Sequence, residues 1–457
     1  MSLSPDARRR VARALAVLTV AAPIAAEAAG ELDPTFGNSG AVELVDTPGK
    51  GYAVARDAQG SLFVAGVVGG FGAQDFSVVK LDAFGHPAQS FGTNGRATID
   101  LGGDDVAYSV AVDASGNVFL GGNTKAGTTT GFDFAVVKLD AAGHRVASFG
   151  DNGVAIVDFG PGNNDYGQSV RVLPSGGIYL VGATNHSSTD VRYDFAVMRL
   201  DAAGHLDASF GSGGRAQYAV GCCDDYGYGA VSDANGNLYV SGTTFTNTPG
   251  VSALGVIKVR PNGSLDDAFG VDGVATASVL DTNLGYTLAR APDGSLYVIG
   301  QVSSLGGPPR FGVAAFDAAG NPAAFGGGGV RLVDFGSGGN EFPAGIAVDA
   351  DKNVYVCGAV DVDGVWRYAA AALDTGGSLR PNFGNGGTLV LDVPELDAFA
   401  YAALLEPSGG LFLAGASNQA LSRDAGEAPL GNGPNVAVVK LRVDRAGLVL
   451  VSGFDTP

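Results

Sequence analysis

The sequence predicts an all-β fold, a seven-bladed β-propeller with four antiparallel strands per blade, on three observations. An FG corner recurs at Phe36-Gly37, Phe91-Gly92, Phe149-Gly150, Phe210-Gly211, Phe269-Gly270, Phe325-Gly326 and Phe383-Gly384, at spacings of 55 to 61 residues. A period of that size marks a repeat architecture and overrules the several domains that 457 residues would otherwise suggest. Each copy carries four strand signals separated by turn residues. The ends are complementary: residues 41–46 form one lone strand after the first corner, and the last copy stops after three. The N-terminal strand is therefore expected to close the last blade and remove an open sheet edge.

The copy after Gly103 shows the elements in order. AYSVAVD (107–113), a turn around Gly116 and NVFLGG (117–122) make a hairpin. After a loop come DFAVVKLD (133–140), a DAAGH turn, the FGDNG corner and VAIVDF (154–159). The second strands LFVAG, LYVSG, VYVCG and LFLAG are nearly continuous apolar runs, as befits strands covered on both faces. A blade cannot bury both faces alone, so each is expected to stack on its neighbours around a central channel, with the corner Phe between blades. The 73 glycines have no collagen period and punctuate apolar runs, which fits a turn-rich β protein.

The alternation of DFAVVKLDAAG with FGxxG resembles the delta-60 repeat family of bacterial exported propellers and, more distantly, NHL-type blades. The resemblance covers residues 32–445. It implies a secreted or surface propeller and carries no agreed catalytic residues, so none is transferred. Three copies depart from the pattern, with Leu254-Gly255, Arg310-Phe311 and Arg367-Tyr368 in place of Asp-Phe.

Residues 1–28 read as a secretory signal peptide. Arg8, Arg9, Arg10 and Arg13 form a basic region, the apolar run over 14–26 is too short to span a bilayer, and Ala26 and Ala28 frame a cleavage site. Residues 29–457 are then expected to form a single monomeric propeller with no transmembrane segment. Its expected place is the periplasm, outer surface or exterior of a Gram-negative bacterium. Residues 1–28 carry four Arg against Asp6 and Glu27, so their removal takes the formal charge from −19 to −21. That balance argues against nucleic acid and favours cations or basic partners. Cys222 and Cys223 allow a vicinal disulfide, two thiols or a link to another molecule, and Cys357 reads as a buried apolar residue. Gly453-Phe454-Asp455 resembles a short sorting tail.

One column stands out on the face of the variable loops. Counting eight residues back from each first hairpin turn gives Gly49, Asp105, Asp165, Asp225, Asn283, Glu341 and Ala398, with Asp397 beside the last. These positions enter the innermost strands and are expected around the channel mouth. Two readings stand. Asp105, Asp165, Asp225 and Glu341 form a carboxylate ring for a cation, calcium by class, or for a basic or sugar ligand. Alternatively, each carboxylate caps backbone N–H groups in a tight link. Asn283, Asp397, Trp366 and Tyr368 are further ligand-loop candidates, the aromatics as stacking surfaces for sugars. The pairs Asp75 with Lys80, Asp133 with Lys138 and Asp194 with Arg199 read as solvated charge. His86, His144 and His205 repeat in one turn, a blade apart, and no GxSxG, HExxH or P-loop pattern occurs.

The leading expectation is a non-enzymatic binding or surface-interaction module that meets a protein or glycan through its variable, acidic face. The alternatives are a periplasmic enzyme working in the channel, such as a lyase or quinoprotein-like dehydrogenase, and a purely structural envelope spacer. An enzyme needs convergent bases at one channel mouth, where the sequence places carboxylates but hardly any bases.

Overall fold

The computed structural model describes residues 29–44, 49–70, 72–126, 131–185, 192–221, 223–245, 251–391, 397–417 and 434–443. Residues 1–28, Cys222 and the tail at 453–455 lie outside the described residues. The described chain forms seven four-stranded antiparallel sheets. Six blades are continuous in sequence, spanning 49–99, 105–157, 165–218, 226–277, 282–333 and 341–391. The seventh joins both ends. In it, β1 (Ala41–Leu44) pairs with β28 (Asn435–Arg442), which continues to β27 (Gly410–Ser417) and β26 (Phe399–Leu405). The N-terminal strand closes the last blade, as predicted. No helix among the described residues is long and apolar enough to cross a membrane.

The corners hold neighbouring blades together. All seven corner Phe are buried, and each meets a second-strand aromatic edge-on, as Phe91 meets Phe63 with ring centroids 5.8 Å apart. Phe91 also shares a core with Ala135, Val137 and Leu139 of the next blade. The glycine after it donates its N–H to a turn carbonyl of that blade: Gly92 to Ala142 at 2.8 Å, Gly211 to Asn262 at 2.9 Å. Gly384 to Ala29 (2.9 Å) and Gly37 to Phe84 (2.7 Å) carry the same bond across the chain ends. Gly92 has φ 53°, and a Cβ there would stand 2.0 Å from the Arg96 carbonyl oxygen, so only glycine fits. The third-strand cations are not simply solvated charge. Lys80 sits 4.9 Å from the Phe63 ring centroid and 3.8 Å from Asp57, because the ring face attracts a cation whose stem it also covers.

Every inner strand carries a β-bulge at the same place. In the second blade, β6 (Asp105–Val112) pairs with β7 (Val118–Thr124) through Ala107 opposite Gly122 and then Ser109 opposite Gly121, leaving Tyr108 out of register. The other blades skip Tyr52, Gln168, Tyr228, Tyr286 with Thr287, Ala344 and Tyr401. The glycine near the end of each second strand makes room: a Cβ on Gly122 would stand 1.9 Å from the Val106 carbonyl oxygen. A bulge bends its strand and re-aims the extra side chain.

Phe91→Ala is expected to cost about 3–5 kcal/mol through the cavity it leaves, and Gly92→Ala about 1–3 kcal/mol through backbone strain. Urea-unfolding midpoints of the two variants beside the parent check both.

Candidate functional site

The acidic column stands at the starts of the inner strands, as predicted, but its side chains do not line the central cavity. Asp105, Asp165, Asp225, Asn283 and Glu341 are fully buried and cap the links between blades. Asp165 accepts from the Phe159 N–H at 2.7 Å and from the Thr184 hydroxyl at 2.5 Å. Asp105 likewise accepts from the Leu101 N–H at 2.7 Å and from the Thr124 hydroxyl. Asp225 takes the N–H groups of Val220 and Gly221 at 2.8 and 3.1 Å. Asn283 accepts from Val279 N–H at 2.7 Å and donates to the Ser252 carbonyl at 2.9 Å. Glu341 accepts from the Phe335 N–H at 3.0 Å, with Arg310 Nη1 3.7 Å away. The physical reason is local. A tight link carries N–H groups with no strand to pair them, and a short polar side chain satisfies them from within. The column's own N–H groups tie back to the preceding blade, Asp105 to Gln74 at 2.7 Å and Ala398 to Trp366 at 2.9 Å.

Burial lifts the Asp165 carboxyl to about 7, with Asp158 and Asp133 adding to the rise. Glu341 is lifted to about 7 for the same first reason. Carboxylates gather from three elements in two places. Asp75, Asp100 and Asp105 form one trio, and Asp133, Asp158 and Asp165 the other, with ligand oxygens within 4.8 Å of one another. At the corresponding positions of the fifth blade stand Arg310, Asp334 and Glu341, so there the chain supplies its own positive charge.

The channel wall comes instead from the bulges. A central cavity of about 510 Å³ is lined by Tyr52, Tyr108, Gln168, Tyr228, Tyr286 and Tyr401, from six different blades. Arg171 lines it too, donating from Nε to the Ala230 carbonyl at 2.5 Å and from Nη1 to the Val170 carbonyl at 2.9 Å. Tyr52 touches both Tyr108 and Tyr401 at centroid separations of 5.2 Å. Tyr228 continues to Tyr286 at 5.6 Å, and Tyr286 to Phe342 at 6.1 Å. Burial, reinforced by neighbouring phenols, raises the pKa of Tyr52, Tyr108, Tyr228 and Tyr286, so these hydroxyls remain neutral donors at pH 7.

The belt spreads outward on the variable face. Trp366 packs on Phe399 at 4.9 Å, and its backbone N–H is held by Asp397 at 2.8 Å. Tyr193 stacks on Tyr226 at 5.0 Å. Of the aromatic ligand-loop candidates, Trp366 thus belongs to the belt and Tyr368 does not. Tyr368 is 2% exposed and occupies the strand position of Phe76 and Phe134, which packs into the core between blades. His86, His144 and His205 are exposed turn residues beside Asp82, Asp140 and Asp201. Cys223 is disulfide-bonded and Cys357 is a buried free thiol.

The tyrosine ring was written in the sequence three residues after the acidic column: Tyr52, Tyr108, Gln168, Tyr228, Tyr286, Ala344, Tyr401. Strand alternation assigns that position to a blade face. Only the bulge turns it to the axis.

Comparison with known proteins adds the fold and no more. Residues 173–210 and 234–269 match a family described as "Domain of unknown function (DUF5122) beta-propeller". No curated protein matches the chain significantly. Among solved structures, the chain is similar to an unknown-function protein from Dyadobacter fermentans DSM 18053 at 11% identity and a TM-score of 0.43, over 90% of this chain and 100% of that one. It is similar to a PL25 ulvan lyase bound to a GlcA(1-4)Rha3S unit at 12% identity and 0.47, over 91% and 100%. Chaetomium thermophilum Sqt1, bound to the N-terminus of ribosomal protein L10, gives 11% and 0.45, over 88% and 98%.

Asp165 has a pH signature of definite sign. Its carboxyl is raised from 3.8 in the unfolded chain to about 7 in the fold. The stability it contributes is therefore full at acid pH and lost as pH rises through about 7. Asp165→Asn, which places there the amide that Asn283 carries natively, is expected to gain melting temperature relative to the parent more at pH 8 than at pH 5. Thermal melts of both proteins at the two pH values check the sign.

Proposed function

We propose that this is an exported, monomeric, non-enzymatic binding propeller whose ligand seat is the tyrosine-lined channel and the aromatic belt at its mouth. The observation that carries the reading is the bulge at one register position of all seven inner strands, with tyrosine at five of them. Ring faces for stacking, with phenol hydroxyls as donors at their edges, suit the alternating apolar and polar faces of a glycan. Among the described residues the cavity lining has no His, Lys, Asp or Glu. With phenol pKa values pushed upward as well, binding is better supported than proton transfer. Titration calorimetry with a panel of oligosaccharides tests this. Tyr52→Ala and Tyr401→Ala are each expected to weaken the parent's best binder about 2- to 13-fold, from about 0.5–1.5 kcal/mol per aromatic contact. Unchanged affinity in both variants would place the ligand outside the channel.

A second reading concerns a cation. The two carboxylate trios, and the guanidinium that stands in the equivalent place in the fifth blade, support calcium as a structural ion between blades. Calcium at a hundred times its Kd is expected to stabilise the parent by about 2.7 kcal/mol for each trio occupied. The gain should vanish in an Asp75→Asn, Asp133→Asn double variant. Identical melting in calcium and in chelator would leave the trios to link capping alone.

A further inference from the structure

The central cavity inverts the charge of the chain around it. The protein carries a formal charge of −19, yet the single charged residue among the described residues lining the cavity is Arg171. The repeat does not require an arginine there. The same register position holds Ala111 in the second blade, Val231 in the fourth and Ala347 in the sixth. Nor is Arg171 alone in departing from the repeat. Three residues before it on the same inner strand, Gln168 replaces the tyrosine that five other blades present at their bulges. One blade thus contributes a guanidinium and an amide to a cavity otherwise walled by phenols, Phe342, aliphatic side chains and the hydroxyls of Ser109, Ser169 and Thr287.

A second cation stands near the mouth. Lys50 holds the inner-strand position at which Tyr166, Tyr226, Phe342 and Phe399 join the aromatic belt. Its ammonium has no hydrogen bond or ion pair among the described residues, and burial lowers its pKa with no carboxylate offsetting the effect. An unpaired ammonium in a half-buried setting is costly unless an anion visits it.

We propose that the channel selects a uronate-bearing saccharide, with a sugar ring stacked on the tyrosines and its carboxylate received by Gln168 and Arg171. The inference rests on the channel-binding reading above and adds the ligand's charge. A guanidinium held by two backbone carbonyls keeps its positive charge, and a charge-assisted contact to it favours a carboxylate over a neutral group. Aromatic walls exclude water and strengthen that attraction. Lys50 draws the acid toward the mouth from a surface that otherwise repels it.

The test compares trigalacturonate with the neutral galactose trimer by titration calorimetry on the full mature chain, at low and moderate salt. The parent is expected to bind the acid trimer at least about tenfold more tightly at low salt, the worth of one charge-assisted contact. Arg171→Gln should erase that preference while leaving the neutral trimer's affinity within about twofold. Arg171→Lys should retain part of the preference. Arg171 also bonds two carbonyls, so a variant that misfolds would be replaced by Lys50→Gln, which should lower only the acid trimer's affinity and flatten its salt dependence. Equal binding of the two trimers by the parent, a preference surviving in Arg171→Gln, or, where that variant misfolds, an undiminished preference in Lys50→Gln would overturn the proposal while leaving the channel as the seat. Unchanged affinity for both trimers in Tyr52→Ala and in Tyr401→Ala would overturn the channel reading itself.

Discussion

Each blade depends on a hydrogen bond that it cannot make within itself. The corner glycine of one blade donates its N–H to the turn carbonyl of the next, and the phenylalanine beside it fills the space between their sheets. Seven such contacts must agree in angle for the circle to close, so every copy keeps the same Phe and the same left-handed glycine. Closure is also why the chain ends meet. Ala29 and Gly30 stand where other blades have a turn, receiving Gly384 and bonding Arg442, before β1 completes the seventh sheet.

On the opposite face the stitching is done by the links. Their backbone N–H groups lie too far from any strand to be paired by it, and burial forbids leaving them empty. Asp105, Asp165, Asp225 and Asn283 meet that demand with short polar side chains, and Glu341 does so with one more methylene and an arginine nearby. A column that looks like a ligand ring along the sequence is thus largely a set of internal caps. The trios at two blade junctions are where capping leaves several carboxylates crowded together.

Once both faces are stitched, the inner strands are fixed around the axis, and the bulge becomes decisive. It costs one ladder register per blade, two in the fifth, and frees the skipped side chains for the cavity. With tyrosine at five of those positions, the protein presents rings where a regular strand would have presented them to a neighbouring blade. The exceptions, Gln168 and Ala344, make the cavity unsymmetrical, and an unsymmetrical cavity can hold a ligand in one orientation.

How much of this was legible in advance follows from the range of the forces involved. The number of blades, the four strands in each, the turn chemistry and the closing strand are properties of period, alternation and glycine placement, which neighbouring residues decide among themselves. Trp366 was legible only as a loop aromatic that could stack on a sugar; that it packs half-buried on Phe399 is set by the neighbouring blade. What faces the channel was not legible. Tyr108 and Tyr368 are both strand aromatics, yet one lines a cavity and the other lies in a core. That difference is set by a register slip against the adjacent strand and by the packing of the next blade. Asp165 is similarly a ligand candidate or a cap according to where the Phe159 N–H falls. Local pattern determined the scaffold; the tertiary structure alone decided which side chains it turns toward the axis, because that choice depends on contacts between strands and between blades.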